Sequence, residues 1–347
     1  MSLPYWQDRD PMDALRVAET ADKLGYRRLW VGEMATFDAF ALATAIGLSP
    51  GRIPLCIGPL AVDVRTPAII AMGTASVAAL TGRPVGIALG SSSTVVVRDW
   101  HGRERQRTAL HLEETARIVR ALLDGLKVDF DGEVERTRGY RLRLPPAPCE
   151  LTVAAFGERA LAAAARTADR VVLNLVTPEQ VSRSAALAAD LAARAGRPTP
   201  AISVWVTAAA NPSRAVYDSV RRGLVGYLRA PGYGTMFTAA GYGELVRLAR
   251  TGAHPREVLA AVPDGLVDAV GLFGGTEVLA ERLGAYCAAG ADEVVIVPAT
   301  VTDDPSGQHT LETLAGIAHV RAEPAEPLRV PRRDTLRRRT SPGAGDG

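Results

Sequence analysis

The chain reads LWVGE at residues 29–33, IPLCIGPL at 53–60 and PVGIALG at 84–90, with a stretch of helical composition in each gap. Short apolar strands that alternate with helices are typical of a parallel sheet covered by helices. Each of these strands ends in small or polar residues. Because α/β enzymes build their sites at the carboxyl ends of parallel strands, we expect a site at this end of the sheet.

The same alternation extends over most of the chain. Eight parallel strands alternating with helices predict a (β/α)8 TIM barrel with insertions, an α/β fold. We predict one domain over 1–321, with an insertion at about 91–150 that contains a small hairpin and a helical excursion at about 212–276. The Arg/Pro/Gly-rich tail, 322–347, is predicted to be disordered. The predicted strands are LPYW (3–6), LWVGE (29–33), IPLCIG (53–58), PVGIAL (84–89), LTVAA (151–155), RVVLN (170–174), AISVWV (201–206) and EVVIV (293–297).

Composition excludes several classes of protein. Forty basic and 38 acidic residues give a net charge of +2, and the basic excess is concentrated in PRRDTLRRR (331–339), so nucleic-acid binding is not expected. Cys56, Cys149 and Cys287 lie far apart, without disulfide or metal-ligand spacing. No apolar run reaches the roughly 18 residues of a membrane span, and the first residues lack signal-peptide organisation. We therefore expect a cytoplasmic protein without a metal site.

Several longer segments resemble the bacterial luciferase-like superfamily, and more closely its branch that uses the deazaflavin coenzyme F420. They are AETADKLGYRRLWVGE (18–33), IGPLAVDVRTPAIIA (57–71), LTGRPVGIALGSSS (80–93) and FGGTEVLAERLGAYCAAGADEVVI (273–296). No single piece is specific, but their order and spacing together are, and they cover nearly the whole barrel. The resemblance implies the luciferase-like TIM barrel and an F420-dependent oxidoreductase.

The resemblance also implies a place for the cofactor ring. In that family the third strand carries a bulge with a cis peptide bond, against which the middle ring rests, and the matching residues here are Ile57, Gly58 and Pro59. A cis bond costs far less before proline than before other residues, so this sequence suits such a bulge. The alternative interpretation is a trans turn at the end of a strand.

Two carboxylates and one tyrosine are the candidates for proton chemistry. Glu33 ends the second predicted strand, where the family places a polar group against cofactor or substrate. Asp63 follows the third strand, and Tyr5 ends the first on the side implied to face the substrate. A carboxylate at a barrel mouth can accept or donate a proton. The alternatives are a helix-entry carboxylate for Glu33, a turn for Asp63 and core packing for Tyr5.

Three loops are expected to bind the rest of the cofactor. Hydroxyls after the fourth strand can hydrogen-bond its ring or side chain, and the loops after the fifth and sixth strands are implied to hold its phosphate on free helix N–H groups. Each feature also has a local interpretation as a turn or a helix cap. The residues are Ser91 and Ser92, then Phe156, Gly157 and Glu158, and finally Asn174 and Thr177.

The substrate pocket is expected to be aromatic and apolar. Trp6, Met34, Trp100 and Tyr233 are its candidates, with core packing as the competing explanation. Such side chains would exclude water from the reaction. Met34 stands where some F420-dependent relatives carry a catalytic histidine, and a thioether cannot relay protons.

The leading hypothesis is hydride transfer between F420 and a small, moderately apolar organic metabolite. One alternative is an FMN-dependent monooxygenase of the same fold that uses reduced flavin and oxygen, because fold alone does not choose between them. A second alternative is a non-catalytic cofactor-binding accessory protein. Relatives often pair through their helices, so a homodimer is expected.

Overall fold

The computed structural model describes residues 1–4, 10–33, 35–302 and 304–321. Most of its strands form one parallel sheet, and β4 and β5 form a separate antiparallel hairpin. The strands are β1 Leu29–Val31, β2 Leu55–Ala61, β3 Val85–Gly90, β4 Val128–Asp131, β5 Arg136–Tyr140, β6 Leu151–Ala154, β7 Arg170–Asn174, β8 Ala201–Ala210, β9 Gly271–Gly274 and β10 Glu293–Pro298.

The parallel sheet closes into a barrel through the first residues of the chain. Its hydrogen-bonded order is β1, β2, β3, β6, β7, β8, β10. Ser2 bridges Trp30 of β1, and its N–H donates to the carbonyl oxygen of Ile296 in β10 at 2.8 Å. The N-terminal segment thus takes the place of the eighth strand between β10 and β1. The predicted (β/α)8 barrel is confirmed.

Two strands differ in place from the sequence prediction. The first was predicted at 3–6, but the observed pairing involves Met1 to Leu3, and Tyr5 and Trp6 lie outside the described residues. β9 lies in the range predicted to be helical and pairs with β8 beyond the end of β7. Its sequence, GLFG, is too short and glycine-rich to stand out as a strand.

The helices cover the outside of the barrel, and their ends follow local sequence signals. Asp38 and Thr66 cap α2 and α3 with their side chains, and Gly82 ends α3 in the left-handed conformation. The helices are α1 Asp13–Lys23, α2 Ala39–Leu48, α3 Pro67–Thr81, α4 Thr108–Leu123, α5 Gly157–Thr167, α6 Pro178–Arg194, α7 Arg214–Arg229, α8 Pro231–Phe237, α9 Gly243–Arg250, α10 Pro255–Ala261, α11 Asp264–Val270, α12 Thr276–Ala288 and α13 Gln308–Arg321, with single-turn π-helices at Val95–Trp100 and Thr238–Tyr242.

Two excursions interrupt the alternation of strands and helices. The first, between β3 and β6, contains a π-helix, α4 and the β4–β5 hairpin, and the second, between β8 and β9, contains α7 to α11, which share a hydrophobic cluster of their own. The buried carboxylate of Glu114 in α4 holds the hairpin turn by accepting the N–H groups of residues 133, 134 and 135 at 2.8–2.9 Å. The hairpin is therefore fixed to α4, which itself packs against α3 and α5 on the outside of the barrel.

The barrel interior is filled by side chains rather than left open. Trp30 and Trp205 meet edge to face with ring centroids 5.5 Å apart, and both are packed with Cys56 and Val295. A packed interior leaves the rim at the carboxyl ends as the place for chemistry. In the described part of the chain, no helix has the length and apolarity that crossing a bilayer requires.

Candidate functional site

A backbone bulge in β2 forms the base of the site. The pairing of β2 with β3 shifts register between Ile57 and Leu60, and the Gly58–Pro59 peptide bond is cis. Gly58 has φ of 115°, and a Cβ there would lie 2.3 Å from the carbonyl oxygen of Ala88. Only glycine fits this close approach of two strands. The cis bond expected from the resemblance is confirmed.

Pro59 is the part of the bulge that reaches a partly open space. Its ring is half-buried, whereas Ile57 and Leu60 on either side are fully buried. Gly90, at the end of β3, faces it closely, since a Cβ on Gly90 would lie 3.1 Å from Pro59 Cβ. The absence of a side chain at Gly90 keeps a flat surface between these two strand ends.

Glu33 is held in an ion pair beside this surface. Arg65 donates from Nε to Glu33 Oε2 at 2.9 Å and from Nη2 to both Glu33 Oε1 and Asp38 Oδ2. The N–H of Ala39 at the start of α2 donates to the other Glu33 oxygen at 3.2 Å. The helix-entry contact considered for Glu33 is therefore present, and both of its oxygens are engaged.

This ion pair lines a cavity of about 320 Å³ at the barrel mouth. Burial raises the pKa of Asp38, but hydrogen bonds from Ala41 N–H and from Arg65 outweigh it and lower that pKa. The cavity thus has fixed charges of both signs on its wall. The residues around it are Glu33, Thr36, Phe37, Asp38, Val64, Arg65, Ile69 and His101.

Asp63 belongs to a second charged group under the hairpin. His111 of α4 lies between two carboxylates, with Nδ1 3.1 Å from Asp63 Oδ1 and Nε2 2.8 Å from Glu135 Oε1. Burial lowers the pKa of His111, but hydrogen bonds to Asp63 and Glu135 outweigh burial and raise it to about 9. The side chain of Asp63 is 1% exposed, and its Oδ2 has no hydrogen-bond partner.

The serines after β3 meet an arginine that sequence reasoning did not single out. Arg105 donates to Ser91 Oγ at 3.2 Å and approaches Thr94 Oγ1 at 3.5 Å. Ser92 is exposed and adopts a left-handed backbone conformation with φ of 52°. Of the two predicted serines, Ser91 is therefore the one that contacts another polar side chain at the rim.

The two predicted phosphate loops differ in what their helix ends offer. Thr177 and Gln180 form a capping box on α6, so this helix satisfies its own first N–H groups. At α5 the N-cap is Phe156, which makes no side-chain cap, and Gly157 has open space where a Cβ would stand. Glu158 is exposed in the first turn. The start of α5 is thus the better place for an anion.

Tyr233 covers these loops with an aromatic cluster. Its ring lies 4.8 Å from that of Phe156 and 4.7 Å from that of Tyr227. Asn174 at the end of β7 donates to its hydroxyl at 3.1 Å. Burial raises the pKa of Tyr233, so the phenol stays protonated. The structure therefore brings Phe156, Asn174 and Tyr233 together at one side of the mouth.

The other predicted pocket residues lie apart from the Tyr233 cluster or outside the described residues. Trp100 ends the first π-helix and is 46% exposed, next to His101, which lines the cavity. Tyr5, Trp6 and Met34 lie outside the described residues. Among the described residues, no three His, Cys, Asp or Glu side chains are grouped so that they could hold a metal ion.

Sequence reasoning missed the arginines of the site. Arg65 lies in the quoted segment IGPLAVDVRTPAIIA, but its partner Glu33 is 32 residues away. Arg105 lies in the run RERQR (103–107), whose concentration of charge directly after a strand end is a signal that could have drawn attention to it.

Comparison with known proteins gives a consistent family. A family model described as luciferase-like monooxygenase matches residues 4–293. An uncharacterised protein of Mycobacterium tuberculosis is 28% identical over 164 residues, which are 47% of this chain and 57% of that protein. A 5,10-methylenetetrahydromethanopterin reductase of Archaeoglobus fulgidus is 22% identical over 286 residues, covering 79% of this chain and 86% of that enzyme.

Solved structures of F420-dependent enzymes and of a monooxygenase share the fold. An F420-dependent secondary alcohol dehydrogenase has a TM-score of 0.73 at 17% identity, covering 91% of this chain and 97% of that one. The coenzyme F420-dependent tetrahydromethanopterin reductase of Methanopyrus kandleri gives 0.75 at 15%, with 92% and 98% covered. The EDTA monooxygenase of Chelativorans sp. gives 0.68 at 16%, with 90% and 87% covered. At these identities the likeness shows the fold.

Proposed function

The chain belongs to the luciferase-like monooxygenase family, and from this membership we propose that it is an oxidoreductase that transfers a hydride between coenzyme F420 and a small organic metabolite. The observation that carries the proposal is the β2 bulge, where half-buried Pro59 lies between buried Gly58 and Leu60 and opposite Gly90. A flat ring needs a flat surface of this kind, and Gly90 adds no side chain to it. The names of a relative, a putative coenzyme F420-dependent oxidoreductase, and of the coenzyme F420-dependent reductase that shares the fold favour F420.

The residues present fit a ring with an anionic tail. Ile57, Gly58 and Pro59 would support the ring, and the hydroxyls of Ser91 and Ser92 lie at the adjacent strand end. The uncapped start of α5, at Phe156, Gly157 and Glu158, would hold the phosphate on its N–H groups. Asn174, at the end of β7, would position Tyr233 beside the phosphate through its hydrogen bond to the Tyr233 hydroxyl. Thr177 would position the start of α6 by capping that helix.

When bound, F420 supplies the hydride chemistry at its central ring. The protein then has to exclude water and handle a proton. Of the two predicted catalytic carboxylates, Glu33 has both oxygens engaged, whereas Asp63 keeps Oδ2 without a partner. We therefore assign proton exchange to Asp63, whose other oxygen is fixed by His111. We assign to Glu33 the role of orienting Arg65 at the cavity wall.

A titration of the whole chain with both cofactors tests this function. Protein fluorescence should report tighter binding of F420 than of FMN, and a substrate panel should show F420-linked absorbance changes without oxygen consumption. Preference for reduced FMN together with oxygen uptake would instead make the protein a monooxygenase. Cofactor binding without any turnover would make it an accessory protein. Failure to bind either cofactor would remove the proposal.

Variants of the two carboxylates separate their assigned roles. Asp63→Asn should abolish turnover while F420 binding persists, because it removes the proton-exchanging group. Glu33→Gln should retain a measurable rate with a raised KM, because it loosens Arg65 at the cavity wall. Equal loss of kcat in both variants would contradict the assignment.

A further inference from the structure

Arg105 carries a positive charge that nothing described in the protein neutralises. In the described ranges, no carboxylate lies within 4 Å of its guanidinium, and its polar contacts are the hydroxyls of Ser91 and Thr94. Its Nε is buried and has no hydrogen-bond partner. Leaving a buried donor unpaired costs folding free energy, so such a group in a site calls for a partner from outside the chain.

The position of Arg105 places that partner at the barrel mouth. Ser91, its nearest contact, directly follows Gly90, which faces Pro59. The register of β3 against β6 brings the same strand end beside the start of α5, since Leu89 pairs with Val153. The guanidinium therefore lies at the rim between the bulge in β2 and the uncapped helix end.

The chemistry of the group identifies the class of ligand. The Nε and the adjacent terminal nitrogen of an arginine form a planar fork that matches the two oxygens of a carboxylate or a phosphate. Ser91 and Thr94 hold the guanidinium without neutralising it, as their hydroxyls carry no charge. Arg65 and Arg107 near the mouth are paired with Glu33 and Glu133. Among the described residues Arg105 has no acidic partner, and unlike the exposed Arg103 it has a buried Nε without a hydrogen-bond partner.

We propose that Arg105 is the anion-recognising residue of the mouth and that a molecule reacting or bound there carries a carboxylate or phosphate group. The proposal rests on the proposed function for its site, and it narrows the substrate class from an apolar metabolite to an organic acid or phosphate ester. The same chemistry has a second source in the phosphate of the cofactor. The start of α5 already offers N–H groups for that phosphate, which favours the substrate as the source.

The test compares ligands that carry an anionic group with counterparts that lack it. One arm measures the affinities of F420 and FMN against their phosphate-free ring forms. The other arm titrates benzoate and benzamide, which share a shape, into protein saturated with the tighter-binding ring ligand. In Arg105→Gln, we expect the preference for the anionic member of one pair to fall about tenfold, the value of a charge-assisted hydrogen bond. A change in the preference for F420 or FMN over its phosphate-free form identifies the cofactor phosphate as the anion that Arg105 binds. A change in the preference for benzoate over benzamide identifies the substrate as the source of that anion.

Two matched variants complete the design. Arg103→Gln removes the same charge from an exposed position in the same loop and should leave both preferences at the wild-type value. Arg105→Lys keeps the charge without the planar fork and should retain part of the preference. Circular dichroism and thermal melting confirm that each variant is folded.

The outcomes separate this inference from the proposed function. If neither ring ligand binds the wild-type protein, the proposed function fails, and benzoate against benzamide on the protein alone still measures the anion preference. If the wild-type protein shows no preference for the anion in either pair, or if Arg105→Gln leaves both preferences unchanged, the assignment of Arg105 is overturned.

Discussion

At the scale of single residues, the site depends on positions where a side chain is absent. Gly58→Ala would place a Cβ 2.3 Å from the carbonyl oxygen of Ala88, at a φ of 115°. Because a backbone oxygen cannot move without breaking the β2–β3 pairing, we expect a loss of about 3 kcal/mol or more in the free energy of unfolding. Urea unfolding measures it, and binding of the ring ligand should be lost as well.

Gly25→Ala is the matched control for this substitution. Gly25 also has a positive φ, 73°, but a Cβ there meets nothing within 4 Å. It should therefore show only the conformational penalty of about 1 kcal/mol. Equal losses in the two variants would mean that the close contact in the bulge contributes nothing.

Tyr233 allows a second prediction at this scale. Tyr233→Ala removes the ring that contacts Phe156 and Tyr227, so we expect a loss of about 3 kcal/mol and faster hydrogen exchange in α7 to α9. Tyr233→Phe keeps the ring and removes only the acceptor for Asn174, at a cost of about 1 kcal/mol. Similar exchange rates in both variants would contradict a packing role for the ring.

At the scale of elements, the His111 cluster joins three parts of the chain: the loop after β2, the start of α4 and the hairpin. The pKa of His111 is about 9 in the folded protein, above its usual value of about 6.5 when unfolded. The stabilisation is therefore complete below about pH 6.5 and is lost as the pH rises through about 9. Because the ring is partly exposed to solvent, we expect this pKa shift to contribute about 2 kcal/mol to the free energy of unfolding.

Unfolding free energies at pH 6 and pH 10 measure this effect. The wild-type protein should lose about 2 kcal/mol more than His111→Gln over this interval, since the variant has no imidazole to titrate. His101→Gln, which removes an exposed histidine from the same region, should behave like the wild type. A pH dependence that is identical in wild type and His111→Gln would show that the cluster does not stabilise the fold.

The same elements show how far sequence reasoning reaches. The alternation of apolar strands and helices predicted the barrel, and the resemblance predicted the cis bond at Gly58–Pro59, because both are local or follow fixed spacing. The contacts of Asp63 with His111 and of Ser91 with Arg105 join residues 48 and 14 positions apart. No periodicity encodes which charged side chains meet across an excursion, so these partners required the folded structure.

At the scale of the whole molecule, α3 presents a surface that a monomer has little reason to expose. Its sequence, PAIIAMGTASVAALT, contains no charged residue. Met72 and Leu80 are 46% and 64% exposed, and with Ile69 they lie on one face of the helix by their spacing. Leu48 at the end of the neighbouring α2 is also exposed. Such an uncharged apolar face is typical of an interface between protein chains.

We therefore predict a homodimer that pairs through α3. The wild-type protein should sediment as a dimer at micromolar concentration, and the double variant Met72→Glu with Leu80→Glu should sediment as a monomer, because buried unpaired carboxylates oppose association. Leu126→Glu places the same charge at an exposed apolar residue elsewhere and should leave the dimer intact. A wild-type protein that sediments as a monomer would contradict the prediction.

Dimerisation through this face would also reach the candidate site. Ile69 belongs both to the exposed face of α3 and to the wall of the cavity that contains Glu33 and Arg65. Covering α3 would therefore narrow the access of water to that cavity, and the charges on its wall would interact more strongly. We expect the monomeric double variant to bind the ring ligand several-fold more weakly than the Leu126→Glu protein, as measured by fluorescence titration. Equal affinities of the two variants for the ring ligand would show that pairing through α3 does not affect the site.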